Sequence, residues 1–323
     1  MRQHINGAMI RQGGVFLCLL LLISACSVLP SPSADGNLTP FVQDGSSYNG
    51  GQWSPSGQWF AAAVYSTNTI HLFSPNGQLI HTITNCVLSG SGTDFAWTPD
   101  NQLSCLTAYP RQLQLLTLTP KGEVQQIRRI PLPTLPEANE WNFQWNPRHF
   151  WFAILAEPVP GDGDSSLYIS DGNGHTLLAP WNAHDAPQLA WSPDGKTLAL
   201  TEPTGDILLL SFHQTATGQL TIVQTRDLHA DVSYTGNIAW SPSGRWLVCR
   251  HGSYNSEDYL FLLATDGSGK QVQITSSTTD GQLDFPAWSP DGKQLVVAQI
   301  AITGNTLMTF NIEQVLKEKG VQP

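Results

Sequence analysis

Trp191-Ser192-Pro193-Asp194-Gly195 closes one apolar segment and opens another, Leu198-Ala199-Leu200, and the same punctuation returns along the whole chain. It stands as Trp53-Ser54-Pro55-Ser56-Gly57, Trp97-Thr98-Pro99-Asp100-Asn101, Trp145-Asn146-Pro147-Arg148, Trp240-Ser241-Pro242-Ser243-Gly244 and Trp288-Ser289-Pro290-Asp291-Gly292, at spacings of 44, 48, 46, 49 and 48 residues. In the motif Pro sets φ, Asp or Ser bonds the local backbone and Gly tolerates positive φ, which makes a tight turn between two strands. A third apolar segment follows in each copy, as in Ile207–Leu210 and Tyr259–Leu262, and then a more polar fourth, as in Leu79–Ile83 and Leu220–Val223. A period in the forties with turn residues at a fixed offset is that of propeller blades. A polar, alternating fourth strand suits an outer edge. The copies at Trp97 and Trp145 lack the glycine, which predicts altered turns in the second and third blades.

Only five fourth strands follow the six motifs, because after Phe310 the chain reads Asn311–Lys319, a short helical tail. Leu38–Asp44, just ahead of the first motif, is the natural supplier of the missing strand, and pairing the two termini removes an open sheet edge. The expected architecture is all-β: a six-bladed propeller of four-stranded blades over residues 38–323, its ring closed by an N-terminal strand.

These motifs resemble the WD40-like Pro-Asp repeat of TolB-like propellers and of the propellers in dipeptidyl-peptidase and prolyl-oligopeptidase relatives. The resemblance runs through all six copies and implies a blade rather than a task. The Trp-Asp ending of true WD40 repeats is absent, and so is the α/β domain that precedes the propeller in TolB, which puts a role in a Tol-Pal-type system in doubt.

Residues 1–25 read as an export address. Val15–Ile23 is an apolar run of nine residues preceded by Arg2 and Arg11, shorter than the ~20 residues needed to cross a bilayer and suited to the core of a signal peptide. Ile23-Ser24-Ala25-Cys26 resembles the bacterial lipobox, which implies cleavage before Cys26 and lipidation of its sulfur; an ordinary cleaved signal or an uncleaved anchor is the alternative. Residues 26–37, rich in Pro, Ser and small polar residues, form a flexible tether. The expected location is therefore the bacterial cell envelope, lipid-anchored on the extracytoplasmic side.

The formal charge is −10, from 15 basic and 25 acidic side chains, and becomes −12 once Arg2 and Arg11 leave with the signal. A net negative surface repels a phosphate backbone, so nucleic acid is excluded as a partner. Outside the signal and Cys26, the cysteines are Cys86, Cys105 and Cys249, an odd number without CxxC spacing, and no disulfide framework is implied. Cys105 and Cys249 hold the repeat position of Leu200 and Val297 and are expected as small core hydrophobes.

The strand order gathers the loops that lead into each first strand, and those joining second to third strands, at one end of the ring, here termed the mouth face; the Trp-Ser-Pro turns lie at the opposite, turn face. The mouth collects 14 of the 25 acidic residues against Arg111 and Arg250. Candidate binding residues are Asp162, Asp164, Asp185, Glu202, Asp206, Asp231, Glu257, Asp258 and Asp284. Trp141 and Trp181, which break the tryptophan period near the mouth loops, join them; Trp59, Trp151 and Trp246 keep a fixed offset and are expected in the packing. A concave acidic mouth focuses the field on a basic peptide or protein surface, whereas Asp in loops also serves turns and solubility. Asp162 and Asp164 in Gly161-Asp162-Gly163-Asp164 have the spacing to touch Ca²⁺ but lack the other ligands of a calcium loop, and no cofactor is otherwise implied. His184, His229 and His251 form no HxH or HxxxH pair for a metal. There is no Gly-x-Ser-x-Gly elbow and no sialidase box. Two function classes remain: a non-catalytic protein- or peptide-binding module, and an exported carbohydrate-active hydrolase or lyase using mouth carboxylates.

Overall fold

A computed structural model describes residues 38–84, 86, 88, 95–107, 112–132, 138–158, 165–183, 188–230, 236–252, 258–275 and 281–321. After β1 (Thr39–Pro40), blade 1 comprises β2 (Gly51–Trp53), β3 (Phe60–Val64), β4 (Thr69–Phe73) and β5 (Leu79–Ile83). Blade 2 holds β6 (Phe95–Trp97), β7 (Leu103–Leu106), β8 (Gln112–Leu118) and β9 (Val124–Pro131); blade 3 holds β10 (Ala138–Trp145), β11 (Trp151–Pro158), β12 (Ser166–Asp171) and β13 (Thr176–Asn182). In blade 4 they are β14 (Leu189–Trp191), β15 (Thr197–Thr201), β16 (Ile207–Gln214) and β17 (Leu220–Leu228), and in blade 5 β18 (Ala239–Trp240), β19 (Trp246–His251), β20 (Tyr259–Ala264) and β21 (Gln271–Gln273). Blade 6 holds β22 (Gln282–Trp288), β23 (Gln294–Ile300) and β24 (Thr306–Asn311), and helix α1 (Ile312–Glu318) follows.

Each sheet is four-stranded and antiparallel; blades 1 to 5 run in chain order, and blade 6 is completed as β22-β23-β24-β1. The innermost strands touch their neighbours in cyclic order, with β22 returning to β2. This is the six-bladed ring expected from the repeat, closed by the predicted N-terminal strand. Thr39 pairs with Thr309 and Pro40 with Met308, and Phe41 N–H donates to the Leu307 carbonyl at 2.8 Å. The Phe41 ring then meets Trp53 and Phe60 edge-on, with centroids 6.0 and 5.1 Å apart, so apolar burial secures a strand only two residues long. Helix α1 is capped by Asn311, whose side-chain oxygen accepts Gln314 N–H at 3.1 Å. Its buried Ile312, Val315 and Leu316 share one core with blade 6, against which Leu38 packs.

The turn motif works through its side chains. Ser192 Oγ donates to Asp194 Oδ1 at 2.7 Å and accepts Thr197 N–H at 3.0 Å, while Gly195 N–H closes the turn on the Ser192 carbonyl at 2.9 Å. The Ser289 hydroxyl makes the same bond to Asp291 at 2.6 Å and holds that carboxyl below the usual range. Blade 2 corrects an expectation: Asn101 takes φ +63°, close to the +72° of Gly195, and its N–H closes the turn on the Thr98 carbonyl at 3.1 Å. Asn tolerates the left-handed region better than other non-glycine residues, so the turn keeps its form. In blade 3 the turn is rebuilt, with Arg148 and His149 N–H both donating to Asn146 Oδ1.

Two of the repeat tryptophans hydrogen-bond directly to the blade before, whereas the buried indole N–H groups of Trp53, Trp191 and Trp288 have no such partner. Trp97 Nε1 donates to the Gln52 carbonyl at 3.1 Å and Trp240 Nε1 to the Ala190 carbonyl at 3.0 Å, in both cases the residue preceding the previous repeat tryptophan. Trp59 stacks on Trp97 across the blade 1–2 seam at 5.9 Å, as its fixed offset predicts.

The cysteine reading needs a second correction. Cys105 is no bare core hydrophobe: it is joined to Cys86 in a buried disulfide with Cα atoms 5.6 Å apart. Cys86 lies in the connection between blades, where the repeat offers no landmark, and the fold brings it against Cys105 of β7. The Asn68 side chain holds the same connection, donating to the Cys86 carbonyl at 3.2 Å and accepting Leu88 N–H at 2.9 Å. Cys249 is buried and free, as expected, and burial pushes its thiol well above the usual range.

Candidate functional site at the propeller mouth

Of the acidic residues expected at the mouth, the described ones divide by what they bond. Asp258, at the start of β20, accepts Arg250 Nε at 3.1 Å and Arg250 Nη2 at 2.9 Å. Asp284, in β22 of the next blade, accepts Arg250 Nη1 at 3.4 Å through Oδ2. Its Oδ1 accepts Asn237 N–H at 3.0 Å, the Asn237 side-chain amide at 3.3 Å and Phe285 N–H at 2.7 Å. Arg250 and Asp284 are both about 95% buried, and desolvation pushes the Asp284 carboxyl up against the pull of Arg250. These two carboxylates therefore form an ion-paired seam between blades 5 and 6, a structural use of residues that the sequence offers as a binding face. Beyond Asp284 the strand bulges and Phe285 takes φ +52°, a conformation of the kind that persists only when its surroundings over-determine it. Gly50 permits it: a Cβ at that position would lie 2.5 Å from the Phe285 Cβ.

Asp206 turns its side chain to the end of β17, 3.3 Å from His229 Nδ1 and 3.3 Å from Ala230 N–H. Glu202 opens the same β15–β16 hairpin, and its carbonyl accepts Gly205 N–H at 2.9 Å. At blade 1 the buried Tyr48 hydroxyl donates to Asp44 Oδ2 at 2.5 Å and lies 2.9 Å from His71 Nδ1. Burial and the Asp44 hydrogen bond push the Tyr48 phenol well up, burial lowers His71, and the Tyr48 and Ser46 hydrogen bonds hold Asp44 down against its own desolvation.

Asp162, Asp164, Asp185, Asp231 and Glu257 lie outside the described residues, and with them the calcium candidate. Trp141 belongs to β10, with its backbone opposite Ala156. Trp181 lies in β13 opposite Leu167, half-buried against the core shared by blades 3 and 4. Arg250, Asn237, Tyr48 and His71 complete the clusters without having been singled out as site residues. Arg250 alone left a readable trace, a charge where other second strands carry Thr201 or Ala298.

Along the axis the inner strands leave a cavity of about 230 Å³, lined by residues including Gln52, Gln144, Asn237, Trp240 and Phe285. Among the described residues no group of three or more His, Cys, Asp or Glu is placed to hold a metal ion, and no helix is long and apolar enough to cross a membrane.

Six four-stranded blades and a closing N-terminal strand make this a six-bladed β-propeller, and part of it is similar in sequence to TolB proteins. Over 119 residues, 37% of this chain, it is 29% identical to the Tol-Pal system protein TolB of Hamiltonella defensa, and over 134 residues, 41% of this chain, it is 31% identical to a TolB homolog of Chlorobium chlorochromatii. Those stretches span 25% and 28% of the two relatives. No protein-family model matches the chain. Among solved structures it is similar to a gluconolactonase from Xanthomonas campestris, with a TM-score of 0.61 at 14% identity over 85% of this chain and 89% of that one. A putative TolB from Agrobacterium tumefaciens gives 0.50 at 17% identity over 77% and 83%. At such identities the likeness is one of fold.

Proposed function

We propose that the chain is an exported, lipid-anchored propeller that binds a protein or peptide through its mouth face. In this reading residues 1–25 are a signal, Cys26 carries the lipid, residues 26–37 are a tether and the ring projects from the extracytoplasmic side of the membrane. The observation that carries it is the charge asymmetry read from the sequence: 14 acidic residues are assigned to the mouth end against Arg111 and Arg250, and Arg250 is already neutralised by two of them, Asp258 and Asp284. Such a surface attracts basic partners and speeds their encounter in a salt-dependent way. The Cys86–Cys105 disulfide supports an oxidising compartment, and the similarity to TolB proteins supports a protein partner. As to an enzyme, the described mouth pair Asp258 and Asp284 shares a single guanidinium and is not the free acid and base of a glycosidase.

The test is affinity capture with the untethered domain. A partner held by the wild type should be lost when Asp162, Asp164 and Glu202 are changed to Lys, and kept when Lys121 and Lys196 of the turn face are changed to Glu. Capture indifferent to the mouth charges would overturn the reading.

A further inference from the structure

We infer that the turn face is the side of the propeller that faces the membrane, which leaves the mouth face directed away from the bilayer toward its partner. The inference rests on the lipid-anchored reading of Cys26 and adds a direction to it. Its basis is where the chain leaves the ring. Strand β24 runs from the mouth-face hairpin around Ile302 down to Asn311 and α1, and β1 runs antiparallel to it, with Thr39 opposite Thr309 and Pro40 opposite Met308. Going backward from Thr39, the chain therefore heads for the turn face. Leu38 is held at that end by packing on the core of α1 and blade 6, and Thr39 and Gln314 line the same groove as Ser56 and Pro290 of the turns.

Length gives the exit point its weight. As a flexible tether, residues 26–37 would have a root-mean-square reach of about 20 Å and a limit of roughly 40 Å when fully extended. A seven-residue strand such as β23 rises about 23 Å. Starting from Leu38, the lipid reaches the plane of the turn face with the tether slack, whereas presenting the mouth to the bilayer commits about 23 Å of tether, more than its root-mean-square reach, to climbing the flank of a blade. Charge acts in the same direction only through the mouth, whose acidity in this reading is repelled by anionic headgroups; near the exit Lys293, Lys317 and Lys319 are balanced by Asp291, Glu313 and Glu318.

The experiment uses the lipidated mature protein in vesicles of phosphatidylethanolamine and phosphatidylglycerol that carry an acceptor-labelled lipid. Single donor dyes are placed on Gln58→Cys or Ala216→Cys at the turn face, and on Thr204→Cys or Ile302→Cys at the mouth; all four positions are exposed. Cys249 is buried and Cys86 and Cys105 are bonded, so the native ring does not compete for label. Energy transfer should be about twofold or more higher from the turn-face pair, the two label sets being separated by roughly the 20 Å height of a strand. Doubling the tether should narrow the ratio, since reach grows about 1.4-fold. Equal transfer from both faces, or a reversed ratio, overturns the orientation while the anchor stands. If the wild-type protein fails to sediment with vesicles, or sediments no better than a Cys26→Ser variant, the anchor reading falls and the orientation falls with it.

Discussion

The Ser104 hydroxyl stands between Trp145 and the neighbouring blade: Trp145 Nε1 donates to Ser104 Oγ at 2.8 Å, and Ser104 Oγ donates to the Ala96 carbonyl at 2.6 Å. Where Trp97 and Trp240 reach the preceding blade's carbonyl directly, Trp145 reaches it through this hydroxyl. Ser104 is fully buried, so Ser104→Ala leaves a buried indole N–H and a carbonyl without their bridge. The expected cost is about 1–3 kcal/mol, read as a lower Tm in calorimetry. Ala61→Ser, at the equivalent register of blade 1 where the indole already bonds directly, should bring no gain.

The disulfide closes a loop between residues 19 apart, and removing it with Cys86→Ser should cost about 3 kcal/mol. Thiol counting separates this from a packing effect. In the native domain of residues 38–323 no thiol should react, because Cys249 is buried. Denaturation alone should release one thiol, and denaturation with a reductant three.

Arg250 neutralises carboxylates from two blades, so Arg250→Met leaves Asp284 buried without its cation. A loss of 3–5 kcal/mol is the expected scale for breaking such a pair on one side. Because burial raises the Asp284 carboxyl, its contribution is fully present below the unfolded value of 3.8 and is lost as pH rises through the folded value. The deficit of the Met variant should therefore shrink on acidification, as Asp284 takes up a proton. A deficit independent of pH in denaturant titrations would contradict the ion-pair account.

Asp291 behaves in the opposite sense. The Ser289 hydroxyl lowers its carboxyl below 3.8, so its contribution is complete above that pH and is lost as pH falls through the lowered value. The difference in stability between wild type and Ser289→Ala should be greatest near neutrality and fade toward pH 2.

Blade number, strand order and the positions of the six tryptophan turns were legible in the chain, because each follows from a local rule repeated six times: an apolar run, a tryptophan and a Ser/Thr/Asn-Pro turn. Asn101 shows the limit of reading such a rule by residue type, since the backbone conformation, rather than glycine itself, is what the turn requires. The mouth was legible only as charge. That Asp258 and Asp284 neutralise Arg250, or that Tyr48 joins Asp44 to His71, depends on side chains from different strands and blades meeting at distances that no spacing encodes.

By itself, then, the sequence determined the propeller, its closure by the residues around Thr39 and Pro40, and the helical end at Ile312–Glu318, since periodicity and turn chemistry act over a few residues. Only the tertiary structure decided that Cys86 and Cys105 are bonded, that part of the acidic mouth is an internal ion pair, and at which face Leu38 leaves the ring. Each of these is a relation between segments that are distant in the chain and become neighbours only when the ring closes.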